Sequence, residues 1–263
     1  MDRADLPFFI SAATLIDARP AADIPRMLDV RRPPAVTAEP VTLPTAVWRD
    51  LRLVPHWASE LGPRAHVIVF CVHGHNVSQG VTAQLRQRGR AAQCLAGGLH
   101  AWRAAGGPLV GAPQPDVSDA ISVDSEAELF VAALTAAPAD LFVMWSIARF
   151  VDREARFLFV AEDQVAAVAA DLDAVPVGSQ RGGVPTAVQR LPRADATYDA
   201  MHARVRRPDE TGLAAAVSEI WRHAQNGNEY AALAQTFVVY DAHYQAHRRA
   251  GGVCSAPPMT GRE

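Results

Sequence analysis

The sequence predicts an α/β protein, with an open parallel sheet and flanking helices, followed by a mainly helical α+β second domain. In the first 110 residues, short runs of branched apolar residues alternate with segments of helical periodicity, the order that builds a parallel sheet. A stretch of Pro, Gly and polar residues follows at 111–119 and has the composition of a linker. Beyond it, helical periodicity dominates, above all after residue 212.

Two buried strands are predicted in the first domain. Met27–Val30 is a short, mostly apolar run that contains Asp29 and is followed by Pro33, and His66–Phe70 is a compact run rich in branched residues. Between them, apolar residues of 46–61 recur at steps of three and four, which predicts a helix that Pro55 kinks or divides. These elements alternate as an α/β layer requires.

After the second strand, a helix is predicted with Ser78 as its N-cap. It would run through Val81 and Leu85 to Arg88 and end at Gly89, which is suited to a helix C-terminus. A further strand is expected around residue 94.

The second half is predicted to be mainly helical. We predict a helix from Asp124, a strand at Ala155–Val160, a helix at Glu162–Leu172, an irregular loop at Val175–Pro192, and helices at Gly212–Gln225 and Asn228–Arg249. These patterns divide the chain into a first domain at 1–110, a linker at 111–120, a second domain at 121–250 and a flexible tail at 251–263.

Composition excludes several classes of protein. The 263 residues are 49% hydrophobic and 20% charged, unlike collagen-like, wholly disordered or disulfide-scaffold chains. A formal net charge of −3 offers no basic field, so we expect neither nucleic acid nor a membrane as a partner. All 25 basic residues are Arg, which excludes Schiff-base chemistry on Lys and the Lys of a P-loop. The sequence shows neither a signal peptide nor a membrane-length apolar run, so we predict a cytoplasmic location.

The sharpest chemical signal is the segment 70–78, in which Cys71 leaves the carboxyl end of a buried strand and a short loop leads into a helix. Ligands of open α/β sheets bind at this edge. Loop N–H groups and the positive end of the helix would stabilise a nucleophilic thiolate or a bound anion, and Gly74 permits the tight turn. The alternative is that Cys71 is a small core residue.

Three motifs occur in order: Leu-Asp-Val-Arg at 28–31, Cys-x-x-Gly at 71–74 and Gly-Gly-x-x-Ala-Trp at 97–102. With them, residues 9–110 resemble a rhodanese, the single-domain sulfurtransferase module. The resemblance implies that Cys71 accepts a sulfane sulfur as a persulfide, from thiosulfate or another persulfide, and passes it to a thiol acceptor. We expect no cofactor and no metal ion.

The resemblance also implies roles for neighbouring residues. Asp29 and Arg31 would frame the loop, and an ion pair that holds the strand edge is the alternative. The residues predicted to bind substrate are those of the loop itself: Val72, His73, Gly74, His75, Asn76 and Val77.

One departure from the rhodanese pattern concerns the charge of the donor. Many rhodaneses carry Arg where this chain has Asn76, which weakens the case for a highly charged donor such as thiosulfate. His73 and His75 either supply cationic hydrogen bonds or are exposed loop residues.

A phosphatase loop would need Arg at position 77, where Val stands, so phosphatase chemistry is not expected. Cys94 is predicted to be a packed core residue rather than a resolving thiol.

The second half is similar to the C-terminal domain of ChrB-type chromate-resistance proteins. A Trp, Arg, Phe and Asp run at 145–152 leads into Ala-Arg-Phe at 155–157, and the segment 238–244 is similar to the closing helix of that family. Candidate site residues are Trp145, Arg149, Asp152, Arg156, Tyr240 and Asp241. Val143 and Met144 stand where that family has Cys-Pro, so the domain reads as a degenerate member.

Arg149 and Asp152 lie three residues apart, so on a helix they would share a face and pair. The sequence thus predicts a sulfurtransferase that uses a Cys71 persulfide, linked to chromate resistance or oxidative stress. The alternative is a sensor or regulatory protein of chromate resistance that binds an oxyanion, or responds to redox state, without turnover.

Overall fold

The computed structural model describes most of the chain, and the statements below concern the residues it describes. These are 6–18, 25–62, 65–112, 128–178, 191–192, 195–206, 212–224 and 228–251. The predicted linker at 111–120 and tail at 251–263 therefore fall almost wholly outside the described residues.

A five-stranded parallel sheet forms the centre of the first half. Its strands along the chain are β1 (Phe9–Ile10), β2 (Arg26–Asp29), β4 (Ala46–Trp48), β5 (His66–Phe70) and β6 (Ala91–Leu95), and their order in the sheet is β1-β6-β5-β2-β4. A small antiparallel pair, β3 (Val41–Thr42) with β7 (Val110–Gly111), lies beside it. The predicted open parallel sheet with flanking helices is confirmed.

Five α-helices accompany this sheet in the described residues. They are α1 (Ala12–Asp17), α2 (Pro33–Ala38), α3 (Val54–Trp57), α4 (Asn76–Gln87) and α5 (Gly98–Ala104). Because side chains alternate along a strand, Val67 and Val69 of β5 pack in the cluster that contains α3 and α4 residues. Ile68 and Phe70 point the other way, into the cluster that contains α1 and α5 residues.

Two expectations for the first half are wrong. The segment 46–61 is not one helix: it forms β4, a 3-10 turn at Leu51–Leu53 and the short helix α3. Pro55 lies in the first turn of α3, where its missing N–H is harmless, so it opens a helix instead of kinking one. Ser78 does not cap α4, which begins at Asn76; its side chain lies on the buried face of the helix.

A three-stranded parallel sheet and several helices form the second half. The strands β8 (Leu129–Ala133), β9 (Arg156–Val160) and β10 (Val175–Val177) lie in the order β10-β8-β9. The helices are α6 (Pro138–Ser146), which continues as a π-helix (Ile147–Val151), then α7 (Val165–Asp171, after a 3-10 turn at Glu162–Gln164), α8 (Ala196–Val205), α9 (Gly212–Ala224) and α10 (Glu229–Gly251). Val131 of β8 packs with α7, whereas Phe130 and Ala132 join the main core with α6, α8, α9 and α10.

Some predictions for the second half are wrong. The helix predicted from Asp124 does not extend beyond residue 128, because the apolar residues of 129–133 form β8, the buried central strand of the small sheet. Asp124 itself lies outside the described residues. The segment predicted as an irregular loop begins with β10, and α8 was not predicted at all. The strand at 156–160 and the helices at 165–171, 212–224 and 229–251 agree with the predictions within a few residues.

Three described polar contacts between the two halves lie at the edge where the parallel strands begin. Thr45, just before β4, donates its N–H to the carbonyl of Phe150 at 2.9 Å. Arg26, which starts β2, pairs with Glu154 at 3.4 Å on the surface. Arg248 of α10 donates to the carbonyl of Gly106, beyond α5, at 2.7 Å. Since Cys71 follows the end of β5, these contacts leave its loop at the opposite edge.

Among the residues described, none of the helices combines the length and apolar character required to cross a bilayer.

Candidate functional site

Strand alternation places Cys71 against helix α4. Val67, Val69 and Cys71 share one face of β5 and its extension, and all three belong to the cluster that α3 and α4 cover. Cys71 is 9% exposed, so it lies just beneath the surface of the loop. On α4, Ser78, Val81 and Leu85 recur at helical spacing on the buried face. Alternation on the strand and periodicity on the helix therefore bring Ser78 to Cys71.

The Ser78 hydroxyl lies between two cysteine thiols. Its Oγ is 3.2 Å from Cys71 Sγ and 3.4 Å from Cys94 Sγ, and it is 3.3 Å from the carbonyl oxygen of His75. Cys94 is fully buried on β6, opposite Val69, and burial raises the pKa of its thiol despite the Ser78 hydrogen bond. The structure places Cys94 in the core, where the sequence predicted it, but in hydrogen-bond contact with the site.

Helix α5 holds the other side of the loop. Leu99 donates its N–H to the carbonyl of Cys71 at 2.9 Å, and His100 donates to that of Val72 at 3.2 Å. The N–H and C=O of a peptide unit point in opposite directions, so the N–H groups of Val72 and His73 point away from α5. The helix N-terminus thus fixes the orientation of the peptides on which any anion bound beside the sulfur would depend.

Two glycines permit this close approach. A Cβ on Gly98 would lie 2.3 Å from the carbonyl oxygen of Cys71, and one on Gly74 would lie 2.6 Å from the nitrogen of Gly97. Gly74 and Gly98 also have φ values of +69° and +57°, in the left-handed region that glycine adopts without strain. The sequence analysis assigned the turn to Gly74; the structure adds that loop and helix meet backbone to backbone.

Three exposed imidazoles lie around the loop: those of His73, His75 and His100. The rings of His73 and His100 meet edge to face, with centroids 4.5 Å apart. Asn76 is exposed at the first position of α4. His100 was not among the predicted site residues, and its position within the Gly-Gly-x-x-Ala-Trp motif was the available signal.

Asp29 and Arg31 form a buried ion pair at the end of β2. The Nη2 of Arg31 lies 2.6 Å from Oδ2 of Asp29, and both side chains are almost fully buried. Arg31 also donates to the carbonyls of Glu39 and Val41, and Thr42 donates to Asp29. These contacts tie the end of β2 to β3 and to the residues just before it, as in the alternative of an ion pair that holds the strand edge.

In the second half, Trp145, Arg149 and Asp241 come together. Asp241, on α10, accepts a 2.7 Å hydrogen bond from the indole of Trp145 and two 3.1 Å bonds from the guanidinium of Arg149. The guanidinium also lies over the ring of Phe237, 5.3 Å from its centroid. Arg149 belongs to the π-helix, whose wider turn sets its direction. The predicted pairing of Arg149 with Asp152 is therefore wrong, because the partner of Arg149 is Asp241.

Asp152 lies outside that cluster because the helix ends before it. It follows the π-helix as its C-cap and accepts the N–H groups of Glu128 at 3.3 Å and Glu154 at 2.9 Å. Arg156 is exposed on β9. Tyr240 packs against Trp145 and donates to the carbonyl of Pro138 at 2.7 Å. Of the six candidates, three share one polar cluster and a fourth packs beside it.

Replacing Asp241 with Ala is expected to destabilise the second half by roughly 3 kcal/mol, because Arg149 and the Trp145 indole would lose their acceptor in a largely buried place. Asp152→Ala removes two exposed hydrogen bonds and should cost about 1 kcal/mol. Urea unfolding of the full chain measures both. Equal losses of unfolding free energy in the two variants would show that the buried contacts of Asp241 stabilise the protein no more than the exposed contacts of Asp152.

Burial shifts the ionisation of several groups in this half. It raises the pKa values of Tyr240 and Tyr244, which therefore remain neutral hydrogen-bond donors. It lowers the pKa values of His202 and His243, so both favour the neutral imidazole. His202 is half-buried, and its ring stacks on that of Phe142 with centroids 5.6 Å apart. In the described part of the chain, no group of three or more His, Cys, Asp or Glu side chains is arranged so that it could hold a metal ion.

The matches to known proteins fall on the first half of the chain. Residues 9–105 match the family model for the rhodanese-like domain. A rhodanese-related protein from Thermoplasma volcanium is 25% identical, covering 40% of this chain and 98% of its own, with a TM-score of 0.35. A rhodanese-like domain protein from Staphylococcus aureus is 21% identical, covering 36% and 91%, with a TM-score of 0.33. The rhodanese-like domain of an Anabaena protein is 24% identical, covering 46% and 84%, with a TM-score of 0.35. No curated protein matches the chain.

Proposed function

We propose that the rhodanese-like domain at residues 9–105 is a sulfurtransferase that carries a sulfane sulfur on Cys71. The observation that carries the proposal is the placement of this thiol. It follows the carboxyl end of the central strand, precedes the N-terminus of α4 and has a hydroxyl 3.2 Å from its sulfur. A helix N-terminus and a hydroxyl donor both stabilise a thiolate, which is the nucleophile that sulfur transfer needs.

The proposed reaction has two balanced steps. The Cys71 thiolate attacks the sulfane sulfur of the donor, an S–S bond forms on Cys71, and the donor S–S bond breaks. Sulfite, or a thiolate when the donor is a persulfide, leaves with the electron pair. An acceptor thiolate then attacks the outer sulfur, and Cys71 leaves as a thiolate. Sulfur changes carrier without an external oxidant or reductant, so the residues of this loop suffice.

We infer that the donor is a thiol persulfide in preference to thiosulfate. Asn76 brings no positive charge to the loop, and the side chains at its rim include the imidazoles of His73, His75 and His100. Residues 71–77 include no Arg. A dianion such as thiosulfate would therefore find no permanently charged guanidinium in the loop, whereas a donor with less charge does not require one.

Mass spectrometry of the full chain tests the proposal. After incubation with a low-molecular-weight persulfide, the peptide that contains Cys71 should gain one sulfur atom and lose it to an added thiol. Cys71→Ser should abolish both steps, because the hydroxyl is too weak a nucleophile for them. Cys254→Ser, in the segment outside the described residues, is the matched control and should transfer sulfur like the unchanged protein. Transfer by the Cys71→Ser protein would refute the proposal.

A non-catalytic sensor is the second candidate, favoured by the 9% exposure of Cys71. In that case Cys71 would take up one sulfur atom, or bind an oxyanion at the loop, and would not pass sulfur on. Repeated turnover with excess donor and acceptor distinguishes an enzyme from a sensor.

We further propose that the second half places this chemistry in chromate resistance or oxidative stress. The support is its resemblance to the ChrB-type domain, together with the cluster of Trp145, Arg149 and Asp241 that joins the two segments carrying it. Expression in a chromate-sensitive host should protect the cells, and Cys71→Ser should remove that protection if sulfur transfer is the reason for it.

A further inference from the structure

We propose that Ser78 and Cys94 form a hydrogen-bond relay to Cys71, in which the buried Cys94 thiol donates to the Ser78 hydroxyl and the hydroxyl donates to the Cys71 thiolate. This inference rests on the proposed function, because it concerns the nucleophile of that reaction. It assigns Ser78 as a catalytic residue that touches the reacting sulfur, and Cys94 as a positioning residue that acts through Ser78.

The direction of the relay follows from which atoms can donate once Cys71 is ionised. As a thiol, Cys71 donates to the carbonyl of His75, 3.6 Å away. As a thiolate it has no proton to donate, so the contact of 3.2 Å with Ser78 must be an O–H donation to sulfur. The alternative acceptor of that hydroxyl is the His75 carbonyl at 3.3 Å, a neutral oxygen. Hydrogen bonds to a charged acceptor are stronger, so ionisation of Cys71 directs the hydroxyl to the sulfur.

Cys94 supplies the other end of the relay. Ser78 Oγ lies 3.4 Å from its sulfur, nearer than the carbonyls of Gly74 at 3.8 Å and Leu95 at 3.9 Å. The Thr82 hydroxyl also lies beside this thiol, and it donates to the carbonyl of Ser78. The thiol is fully buried, and burial raises its pKa, so it keeps its proton while Cys71 reacts. A donor behind the hydroxyl polarises it, since consecutive hydrogen bonds strengthen one another in a buried site.

The relay would assist both steps of sulfur transfer. It stabilises the Cys71 thiolate that attacks the donor, and the same thiolate when it leaves the persulfide. The titratable groups of the surrounding elements are His73 and His75 in the loop, His100 on α5 and Cys94 on β6. Ser78→Ala, Cys94→Ala and Cys94→Ser leave all three histidines in place, so the histidines contribute equally in every variant.

The experiment measures the rate at which iodoacetamide alkylates Cys71 in the full chain, from about pH 5 to about pH 10. Ser78→Ala should lower the rate at pH 7 by about tenfold, the effect of one hydrogen bond to a charged group, and the two rates should converge at high pH. Cys94→Ala should lower it by less, about threefold, and Cys94→Ser should restore it, because a hydroxyl is also a donor. In the Ser78→Ala background, Cys94→Ala should have no further effect.

Ser146→Ala is the matched control, since it removes a buried helical hydroxyl from the second half, where that hydroxyl donates to the carbonyl of Phe142 and hydrogen-bonds with Tyr198. It should leave the profile unchanged. A uniform loss at every pH in Ser78→Ala, or an additive effect of Cys94→Ala in that background, would overturn the relay. If Ser78→Ala fails to fold, the Cys94 pair decides alone: equal rates for Cys94→Ala and Cys94→Ser refute it. Alkylation needs no sulfur donor, so a protein with these profiles and no persulfide would refute only the proposed function.

Discussion

Asp29→Ala is expected to cost the first domain about 3–5 kcal/mol of unfolding free energy, because Arg31 would be left buried without its counter-ion. The guanidinium is fully buried, and three of its contacts with Asp29 lie within 2.9 Å. Its remaining hydrogen bonds, to the carbonyls of Glu39 and Val41, do not neutralise its charge. The measurement is urea unfolding of the full chain, followed by the fluorescence of the tryptophans.

The chain contains its own control for this prediction. Asp50 and Arg52 repeat the Asp-x-Arg spacing with the same bidentate geometry, but the Arg52 side chain is 76% exposed. Asp50→Ala would leave that guanidinium in water, so a much smaller loss is expected. A double variant, Asp29→Leu with Arg31→Met, should regain much of the lost stability because no unpaired charge remains. Similar losses in Asp29→Ala and Asp50→Ala would show that burial of the pair does not set its value.

The parts of the fold that could be predicted from sequence are those in which local periodicity and tertiary packing agree. The run at 66–70 is apolar on both faces, as a central parallel strand must be, and buried residues recur at helical spacing from 232 to 244 in the last helix. The prediction of a helix over 46–61 was wrong because apolar residues at steps of three and four also occur by chance across a strand, a turn and a short helix. The strand β8 was missed because a short apolar run has no period of its own.

At the site, the sequence located Cys71 but not its surroundings. Placing Ser78 between two sulfurs requires the register of β5 with β6 and the exact start of α4, and helix boundaries are the least certain feature of a sequence prediction. The pairing of Arg149 with Asp152 assumed a regular α-helix. The π-helix at 147–151 widens the turn and ends before Asp152, so the partner comes from α10, 92 residues away.

Gly98→Ala is expected to impair the Cys71 loop more than any other single glycine substitution in the first domain apart from Gly74. The added Cβ would lie 2.3 Å from the Cys71 carbonyl, which is backbone and cannot rotate aside, so loop and helix α5 would have to separate. The φ of +57° adds about 1 kcal/mol of strain for a residue with a Cβ. Separation would break the hydrogen bonds that α5 gives to the loop, and sulfur transfer should fall together with stability.

Two other glycines divide this effect into its causes. Gly89 has a φ of +72° with open space around it, so Gly89→Ala measures backbone strain alone. Gly80 lies in open space within helix α4, where Ala is the better helix former, so Gly80→Ala should be neutral or slightly stabilising. Urea unfolding and the alkylation rate of Cys71 are measured for all three variants. We expect Gly98→Ala to lose more stability than Gly89→Ala and to be the one of the three with an altered alkylation rate. A Gly98→Ala protein that matches Gly89→Ala in both would mean that the contact between loop and helix yields without loss, and that the loop does not depend on α5 for its shape.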